Sequence, residues 1–261
     1  MSDPLYNNHP ILSTAYLPPV DYFRAMITYG GYTMERFENY QKQSYRNRCH
    51  IYSANGAIPL IVPIIRTEKG QQHSGSSGGQ YGLQYKQLIT EVKIDYSKQW
   101  QKQHWRAIHS AYKSTPFFDY YQDDIYLFFS SIKEERLFDL NSKLVSVILN
   151  ILGLPAELNY TQSYCEEHPI DLRNLIHPKR SSSQYFKPSG SDIFSVNNNR
   201  KVVTDNSNDR TITYDSNDVI AIGNCSAKKY HQIFAHKYGF IENLSIIDLI
   251  FNEGPDAILY L

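Results

Sequence analysis

The sequence predicts a mixed α/β fold with a partly parallel sheet, flanking helices and an inserted β excursion. Two features of the chain predict this class. Short apolar runs that stop at proline or glycine are typical of strands, and they alternate with longer stretches in which apolar residues recur every three or four positions. Because strands and helices mix along the whole chain, we expect helices packed against a partly parallel sheet.

The first elements are a strand, a helix and a second strand. Residues 11–16 form a short apolar run that stops at a Pro-Pro pair, so a buried strand is predicted there. Pro19 suits the first turn of a helix, because its missing N–H would have no helical partner at that position. A helix is therefore predicted over 20–28, closed by a Gly-Gly pair, and a strand over 32–37.

A β-hairpin is predicted next, over 49–65, because Asn55-Gly56 is the dipeptide best suited to a tight turn with positive φ. A strand over 88–94 then leads into the chain's clearest amphipathic helix. Five residues of that helix fall on one stripe that should face the core: Trp100, His104, Ile108, Ala111 and Tyr112.

The second half of the chain continues the alternation. The pattern predicts a buried helix over 139–152, a strand over 157–164, and a short helix leading to a basic turn over 170–179. Near the end, Ser245 and Asp248 have the Ser-x-x-Asp spacing of a capping box, in which both side chains satisfy N–H groups at a helix start.

The chain is predicted to form a single domain over 1–261 with two surface excursions. Residues 67–82 are rich in Gly, Ser and Gln, a composition that loses too much entropy on ordering, so we expect a flexible loop. Residues 188–229 contain Asn-rich and Asp-rich runs around short β-prone segments, which predicts a surface insertion.

The composition and charge of the chain argue against several classes of function. The 261 residues, 41% of them apolar, suffice for a core, and the equal totals of 26 acidic and 26 basic residues argue against a general nucleic-acid or anionic-membrane binder. Three widely spaced cysteines suggest a reducing compartment. No signal-peptide pattern and no apolar run of about 20 residues is found, so a cytoplasmic protein without a membrane span is predicted.

Residues 38–48 form a polar run between two apolar segments. Its side chains suit an anionic or hydroxyl-rich small molecule, held by charge-assisted hydrogen bonds. The alternative is a solvated loop with structural arginines. The candidate ligand-binding residues of this run are Gln41, Lys42, Arg46, Asn47 and Arg48.

His104 is the candidate catalytic residue, because it lies on the inward stripe and imidazole titrates near neutral pH. The alternative is a core histidine with a satisfied hydrogen bond. The common nucleotide, zinc and serine-hydrolase signatures are absent from the sequence, so no metal site and no cofactor is predicted.

Several short motifs occur in a fixed order along the chain. They include Tyr16-Leu17-Pro18, Tyr22-Phe23, Gln41-Lys42, Asn47-Arg48, His104-Trp105, Ala111-Tyr112 and Asp139-Leu140-Asn141. In this order the chain resembles the WbqC-like family, bacterial proteins associated with O-antigen and other surface-polysaccharide biosynthesis. Many members carry His-Gln before the Tyr-x-Pro turn, where this chain has Leu12-Ser13.

The resemblance implies two functional hypotheses. The first is a transferase acting on a nucleotide-linked amino sugar, with Arg46 and Arg48 on phosphate and His104 as general base. The second is a non-catalytic binding protein of the polysaccharide assembly machinery. The matched motifs add Tyr16, Trp105 and Tyr112 to the candidate ligand-binding residues.

Overall fold

The structure, a computed structural model, describes residues 9–65, 87–131, 133–179 and 228–261, together with the backbone of two strands between them. The helices are α1 (Val20–Thr28), α2 (Trp100–Tyr112), α3 (Phe118–Ser131), α4 (Leu137–Ile151), α5 (Ala235–Tyr238) and α6 (Ile246–Glu253). The strands are β1 (Ile11–Ser13), β2 (Thr33–Glu35), β3 (Arg48–Ser53), β4 (Gly56–Ile61), β5 (Ser195–Arg200) and β6 (Ser216–Val219). This composition confirms the mixed α/β class.

A small parallel sheet forms around β1 and β2. These two strands pair in parallel, with Ile11 opposite Thr33. Single parallel bridges extend the pairing on both sides, from Ile11 to Asp171 and from Met34 to Tyr160. Four parallel segments therefore end side by side, and we call the place where they end the carboxyl edge. Ligand sites of α/β proteins commonly lie at this position.

The predicted hairpin is present. β3 and β4 pair antiparallel from Arg48↔Ile61 to Ser53↔Gly56. Gly56 has φ +95°, a conformation that glycine adopts readily because it has no Cβ. β5 and β6 also pair antiparallel and lie within the 188–229 range. The predicted flexible loop over 67–82 lies outside the described residues.

The predicted stripe of α2 is buried along its whole length, from Trp100 to Tyr112. It packs against α3, a helix that the sequence analysis did not predict. The buried face of α3 consists of Phe118, Tyr121, Ile125, Phe128 and Phe129. In the described part of the chain, no helix combines the length and the apolar character required to cross a bilayer.

The strand predicted over 88–94 is wrong, and its place is taken by a 3-10 turn at Ile89–Glu91. The cause is that the backbone groups of residues 89–94 form hydrogen bonds to three different segments of the chain. The N–H of Ile89 donates to the backbone carbonyl of Glu38, and that of Ile94 donates to the backbone carbonyl of Glu135. The carbonyl of Lys93 accepts from the N–H of Ile65. Since consecutive residues bond to different segments, no continuous ladder forms.

Two later elements also differ from prediction. The segment 157–164 contributes one bridge to β2 at Tyr160 instead of a full strand. The segment 170–179 does not form the predicted helix, because its backbone is used by β1. Ile11 donates to the carbonyl of Ile170, and Leu172 donates to the carbonyl of Ile11.

The capping box predicted at the start of α6 is wrong. Ser245 occupies the N-cap position, but it makes no side-chain cap. Asp248 is fully buried, and its carboxylate accepts hydrogen bonds from Tyr230 and Gln232 instead. A carboxylate facing the core needs such partners, so its side chain turns away from the helix end.

Gly254 follows α6 at φ +57° and ψ −127°, in a region that only glycine adopts readily. A Cβ at this position would overlap the ring of Phe117. We expect Gly254→Ala to lower the free energy of unfolding by about 2–4 kcal/mol, from backbone strain and overlap together. Urea unfolding followed by circular dichroism measures this loss.

The matched control is Gly153→Ala. Gly153 has φ +67°, and among the described residues no atom outside its chain neighbours would lie within 4 Å of a Cβ at this position. Strain alone should lower the free energy of unfolding of this variant by about 1 kcal/mol. Equal losses in the two variants would show that Phe117 moves aside without penalty.

Candidate functional site

The polar run is anchored by a buried ion pair between Glu38 and Arg46. Arg46 is 2% exposed and Glu38 is 5% exposed. Arg46 Nε donates to Glu38 Oε1 at 2.9 Å, and Nη2 donates to the other carboxylate oxygen in a bidentate arrangement. Nη2 also donates to Ser13 Oγ at 2.7 Å, which ties the polar run to the end of β1.

This geometry gives Arg46 a structural role. Nη1 donates to Gln41 Oε1 at 3.3 Å, so four of the five N–H groups of a guanidinium have partners. Burial raises the pKa of Glu38, and Arg46 opposes that effect by stabilising the carboxylate. A phosphate at Arg46 would have to displace a buried carboxylate, so the contacts favour a clamp over a ligand contact.

A second clamp lies beside the first at the carboxyl edge. Glu35 is fully buried and accepts hydrogen bonds from Thr161 Oγ1 at 2.7 Å and from the N–H of Cys165 at 2.9 Å. Arg173 Nη1 lies 3.4 Å from Glu35, and Nη2 donates to Asp171 at 2.6 Å. The clamp therefore holds the segments around 161 and 173 onto β2.

A narrow pocket, the edge pocket, lies between the two clamps. It is lined by polar residues that include Ser13, Thr14, Arg46 and Arg173, and it encloses about 10 Å³. That space admits about one water molecule. Thr14 Oγ1 is buried without a hydrogen-bond partner in the part of the chain that the structure describes. The edge pocket suits a bound water and is too small for a sugar.

The other predicted residues of the polar run have different surroundings. Gln41 and Lys42 are exposed. Asn47 is buried, and its Nδ2 donates to the carbonyl of Val62 at 2.9 Å, which fixes the chain beyond β4. Asn141 on α4 donates to the carbonyl of Arg46 at 2.8 Å. That bond gives the matched Asp139-Leu140-Asn141 motif a structural purpose.

Arg48 differs from Arg46 because no carboxylate of the described residues forms an ion pair with it. It opens β3, is partly buried, and its Nε has no hydrogen-bond partner among the described residues. His50, two positions further along the strand, lies 6.2 Å from the ring of Tyr45. Burial lowers the pKa of His50, and the positive charge of Arg48 adds to that effect. An anion placed beside Arg48 would be favoured electrostatically.

His104 lies in an aromatic core. It is 5% exposed, and its ring centroid is 5.2 Å from that of Trp100 and 6.5 Å from that of Phe129. The hydroxyl of Tyr16 is 2.8 Å from His104 Nδ1. Burial raises the pKa of Tyr16 well above its ordinary value, so this hydroxyl stays protonated and donates a hydrogen bond to Nδ1.

The second nitrogen of His104 is also engaged. Burial lowers the pKa of His104 to about 4, and a hydrogen bond to the backbone of Ile61 acts in the opposite direction. His104 is therefore neutral at pH 7, with Nδ1 accepting from Tyr16 and the other nitrogen donating to a carbonyl. The structure brings Tyr16 and His104 together, and Tyr16 also donates its backbone N–H to Tyr45 of the polar run.

Trp105 and Tyr112 pack within the helical layer. Trp105 is partly buried, with its ring centroid 5.1 Å from Tyr126 and 6.2 Å from Phe118. Tyr112 is fully buried, and its hydroxyl accepts the N–H of Tyr52 at 3.0 Å. Both residues join α2 to neighbouring elements.

Asp248 forms the centre of a buried polar network that the sequence analysis did not find. Tyr230 donates to Asp248 Oδ2 at 2.7 Å, and Gln232 Nε2 donates to the same oxygen at 3.1 Å. Burial raises the pKa of Asp248 to about 6, and the hydrogen bonds from its neighbours oppose the rise. The signal in the sequence was ambiguous, because the Ser-x-x-Asp spacing equally fits a capping box.

A wider depression, which we call the groove, lies at the β2 end of the carboxyl edge. It has a volume of about 380 Å³. Its walls include Arg36, Glu134, Phe138, Asp139, Lys143 and Tyr160. No motif in the sequence points to Arg36, although its place directly after β2 puts it at the carboxyl edge. No group of three potential metal ligands occurs in the described ranges.

Comparisons with known proteins give a family. The model of the WbqC-like protein family matches residues 14–76 and 80–260. The chain is also 26% identical over 253 residues to "Uncharacterized protein Rv1507c" of Mycobacterium tuberculosis (strain ATCC 25618 / H37Rv), a match that covers 96% of each chain. None of the solved structures matches the chain. The chain belongs to the WbqC-like protein family.

Proposed function

We propose that this chain is a non-catalytic binding protein for a nucleotide-linked sugar, acting in surface-polysaccharide assembly, and that Arg48 contacts the phosphate of the ligand. The observation that carries the proposal is the uncompensated guanidinium of Arg48, whose Nε is buried without a partner in the described part of the chain. A partly buried cation in this state is stabilised by an anion that brings hydrogen-bond acceptors.

The contrast with Arg46 supports this assignment. Arg46 has a buried carboxylate as its partner, whereas no described carboxylate contacts Arg48. The lowered pKa of His50 keeps that imidazole neutral, so it is available to donate or accept a hydrogen bond beside the ligand without adding charge. Exposed Gln41 and Lys42 supply further polar groups on the same run.

The geometry of His104 favours binding over transfer. A general base needs a lone pair within reach of the proton that it removes. Here Nδ1 already accepts from Tyr16, and the ring is enclosed by Trp100 and Phe129. With a pKa of about 4, the imidazole is also a weak base at neutral pH. These features are those of a core histidine.

The test is a thermal-shift screen of the purified protein against nucleoside diphosphates, nucleotide sugars and acyl-CoA. A ligand at 100 times its Kd should add about 2.7 kcal/mol to the free energy of unfolding. We expect a nucleotide sugar to raise Tm, and we expect Arg48→Ala to abolish the rise. Arg106→Ala is the matched control, because Arg106 is an exposed arginine on α2.

Three results would overturn the proposal. An unchanged shift in Arg48→Ala would place the phosphate elsewhere. Turnover of a nucleotide sugar that is lost in His104→Gln, with binding retained, would restore the transferase hypothesis. A shift abolished equally by Arg106→Ala would show that the ligand binds non-specifically to surface cations.

A further inference from the structure

The groove at the β2 end of the carboxyl edge has the size of a small-molecule site. Its volume of about 380 Å³ falls within the range of ligand pockets, about 300–1,000 Å³. It lies where Arg36 leaves β2 and where α4 begins. It is separate from the edge pocket, whose lining includes none of the groove residues.

Arg36 lies beside two aromatic rings, and no carboxylate of the described residues forms an ion pair with it. Its guanidinium carbon lies 5.9 Å from the ring centroid of Tyr160 and 5.7 Å from that of Phe37. Its backbone N–H donates to Thr161 Oγ1 at 3.2 Å. Arg36 is exposed, so a ligand can reach its guanidinium, and the two ring contacts favour a position beside Tyr160 and Phe37. A ligand that accepts hydrogen bonds from this guanidinium would therefore meet a partly ordered donor.

Asp139 supplies an acceptor in the same groove. It is exposed in the first turn of α4, and no described side chain forms an ion pair with it. The remaining charges of the groove are already paired, because Lys143 contacts Glu134. The uncommitted groups are thus one cation, Arg36, and one anion, Asp139, beside the apolar walls of Phe138 and Tyr160.

This combination selects for hydroxyl groups. A hydroxyl accepts from a guanidinium and donates to a carboxylate, so a polyol satisfies Arg36 and Asp139 together without bringing a charge of its own. A phosphate would be attracted by Arg36 but repelled by Asp139, the other unpaired charge among the described residues of the groove. We infer that the groove binds a monosaccharide unit, with its hydroxyls on Arg36 and Asp139 and its C–H groups against Phe138 and Tyr160.

The test is an NMR titration of the ¹⁵N-labelled full chain with N-acetylglucosamine, and separately with inorganic phosphate. We expect the sugar to shift the amide signals of Arg36 and Tyr160. We expect Kd to rise at least about tenfold in Arg36→Ala and in Asp139→Asn, since each variant loses a charge-assisted hydrogen bond. Arg106→Ala should leave Kd unchanged.

Three outcomes would overturn the inference: no binding of the sugar by the wild-type chain, the same Kd in Arg36→Ala and Asp139→Asn as in the wild type, or displacement of the sugar by phosphate. Asp139→Asn tests the groove even if Arg36→Ala fails to fold. Because N-acetylglucosamine carries no phosphate, its binding does not depend on Arg48. Failure here and failure of the proposed phosphate site are therefore separate results.

Discussion

Replacing Arg46 by methionine should lower the free energy of unfolding by about 3–5 kcal/mol, because the substitution leaves the carboxylate of Glu38 buried without its ion pair. Arg46 and Glu38 are 2% and 5% exposed, so water cannot replace the lost partner. Ser13 loses the same donor. Urea unfolding at pH 7 measures the loss.

The double variant Arg46→Met/Glu38→Gln separates charge from packing. It removes both charges, so it should recover part of the stability that Arg46→Met loses. Lys93→Ala is the surface control: it breaks an ion pair with Glu135 whose side chains are 54% and 69% exposed, so the loss of stability should be far smaller than in Arg46→Met. If Arg46→Met lost as little as Lys93→Ala, Arg46 would again be a candidate ligand contact.

His104 and Asp248 should act on stability in opposite directions between pH 4 and pH 6. The pKa of His104 falls from 6.5 to about 4 on folding. As the pH drops through this window the unfolded chain takes up a proton that the folded chain does not, so stability is lost toward acid. At about 1.4 kcal/mol for each pH unit, the loss reaches about 3 kcal/mol.

Asp248 has the opposite sign. Its pKa rises from 3.8 to about 6 on folding. As the pH increases from 3.8 to 6, the unfolded chain releases a proton that the folded chain retains, so stability is lost toward neutral pH. The full effect is again about 3 kcal/mol, and within the shared window the two contributions nearly cancel.

Single variants should reveal how much His104 and Asp248 each contribute to the pH dependence of stability. His104→Gln keeps an acceptor for Tyr16 but does not titrate, so relative to wild type its stability should increase as the pH falls from 6.5 to 4. The stability of Asp248→Asn should decrease relative to wild type as the pH falls over nearly the same interval. Urea unfolding at a series of pH values measures both, and the titration of every other group cancels in the differences. Curves parallel to wild type would contradict the assigned protonation states.

The elements that could be predicted from sequence are those fixed by local patterns. The Pro-Pro pair and the Gly-Gly pair bracket α1, Asn55-Gly56 gives the β3–β4 hairpin, and the stripe from Trp100 to Tyr112 gives α2. Each rests on a steric or periodic rule that acts within a few residues.

The elements that could not be predicted depend on distant partners. Residues 170–179 have helical periodicity, yet the backbone groups of Ile170 and Leu172 at the start of the segment bond to β1. The buried face of α3 is almost entirely aromatic, and those side chains suit a strand as well as a helix until α2 is in place. Local patterns carry no information about such pairings.

The candidate site shows the same limit. Glu38 and Gln41 lie close to Arg46 in the sequence, and both accept hydrogen bonds from it in the structure, so these members of the polar run form a cluster. The pattern could not show that Glu38 would neutralise Arg46 while Arg48 found no carboxylate partner among the described residues, because that outcome depends on burial and on Ser13 of β1. The groove joins Arg36 to α4, about a hundred positions away, and has no local signature.

The parallel pairing of β1 also governs when the protein can complete its fold during synthesis. Ser13 and Arg173, in contact at the carboxyl edge, are 160 positions apart. During synthesis, the outer edge of β1 therefore stays unpaired until the residues around 171 have emerged from the ribosome. Closing so long a loop late makes assembly slow, and strand edges left open in the interval are sites of mispairing. How far folding in the cell depends on chaperones should therefore be set by this topology more than by the stability of the folded protein.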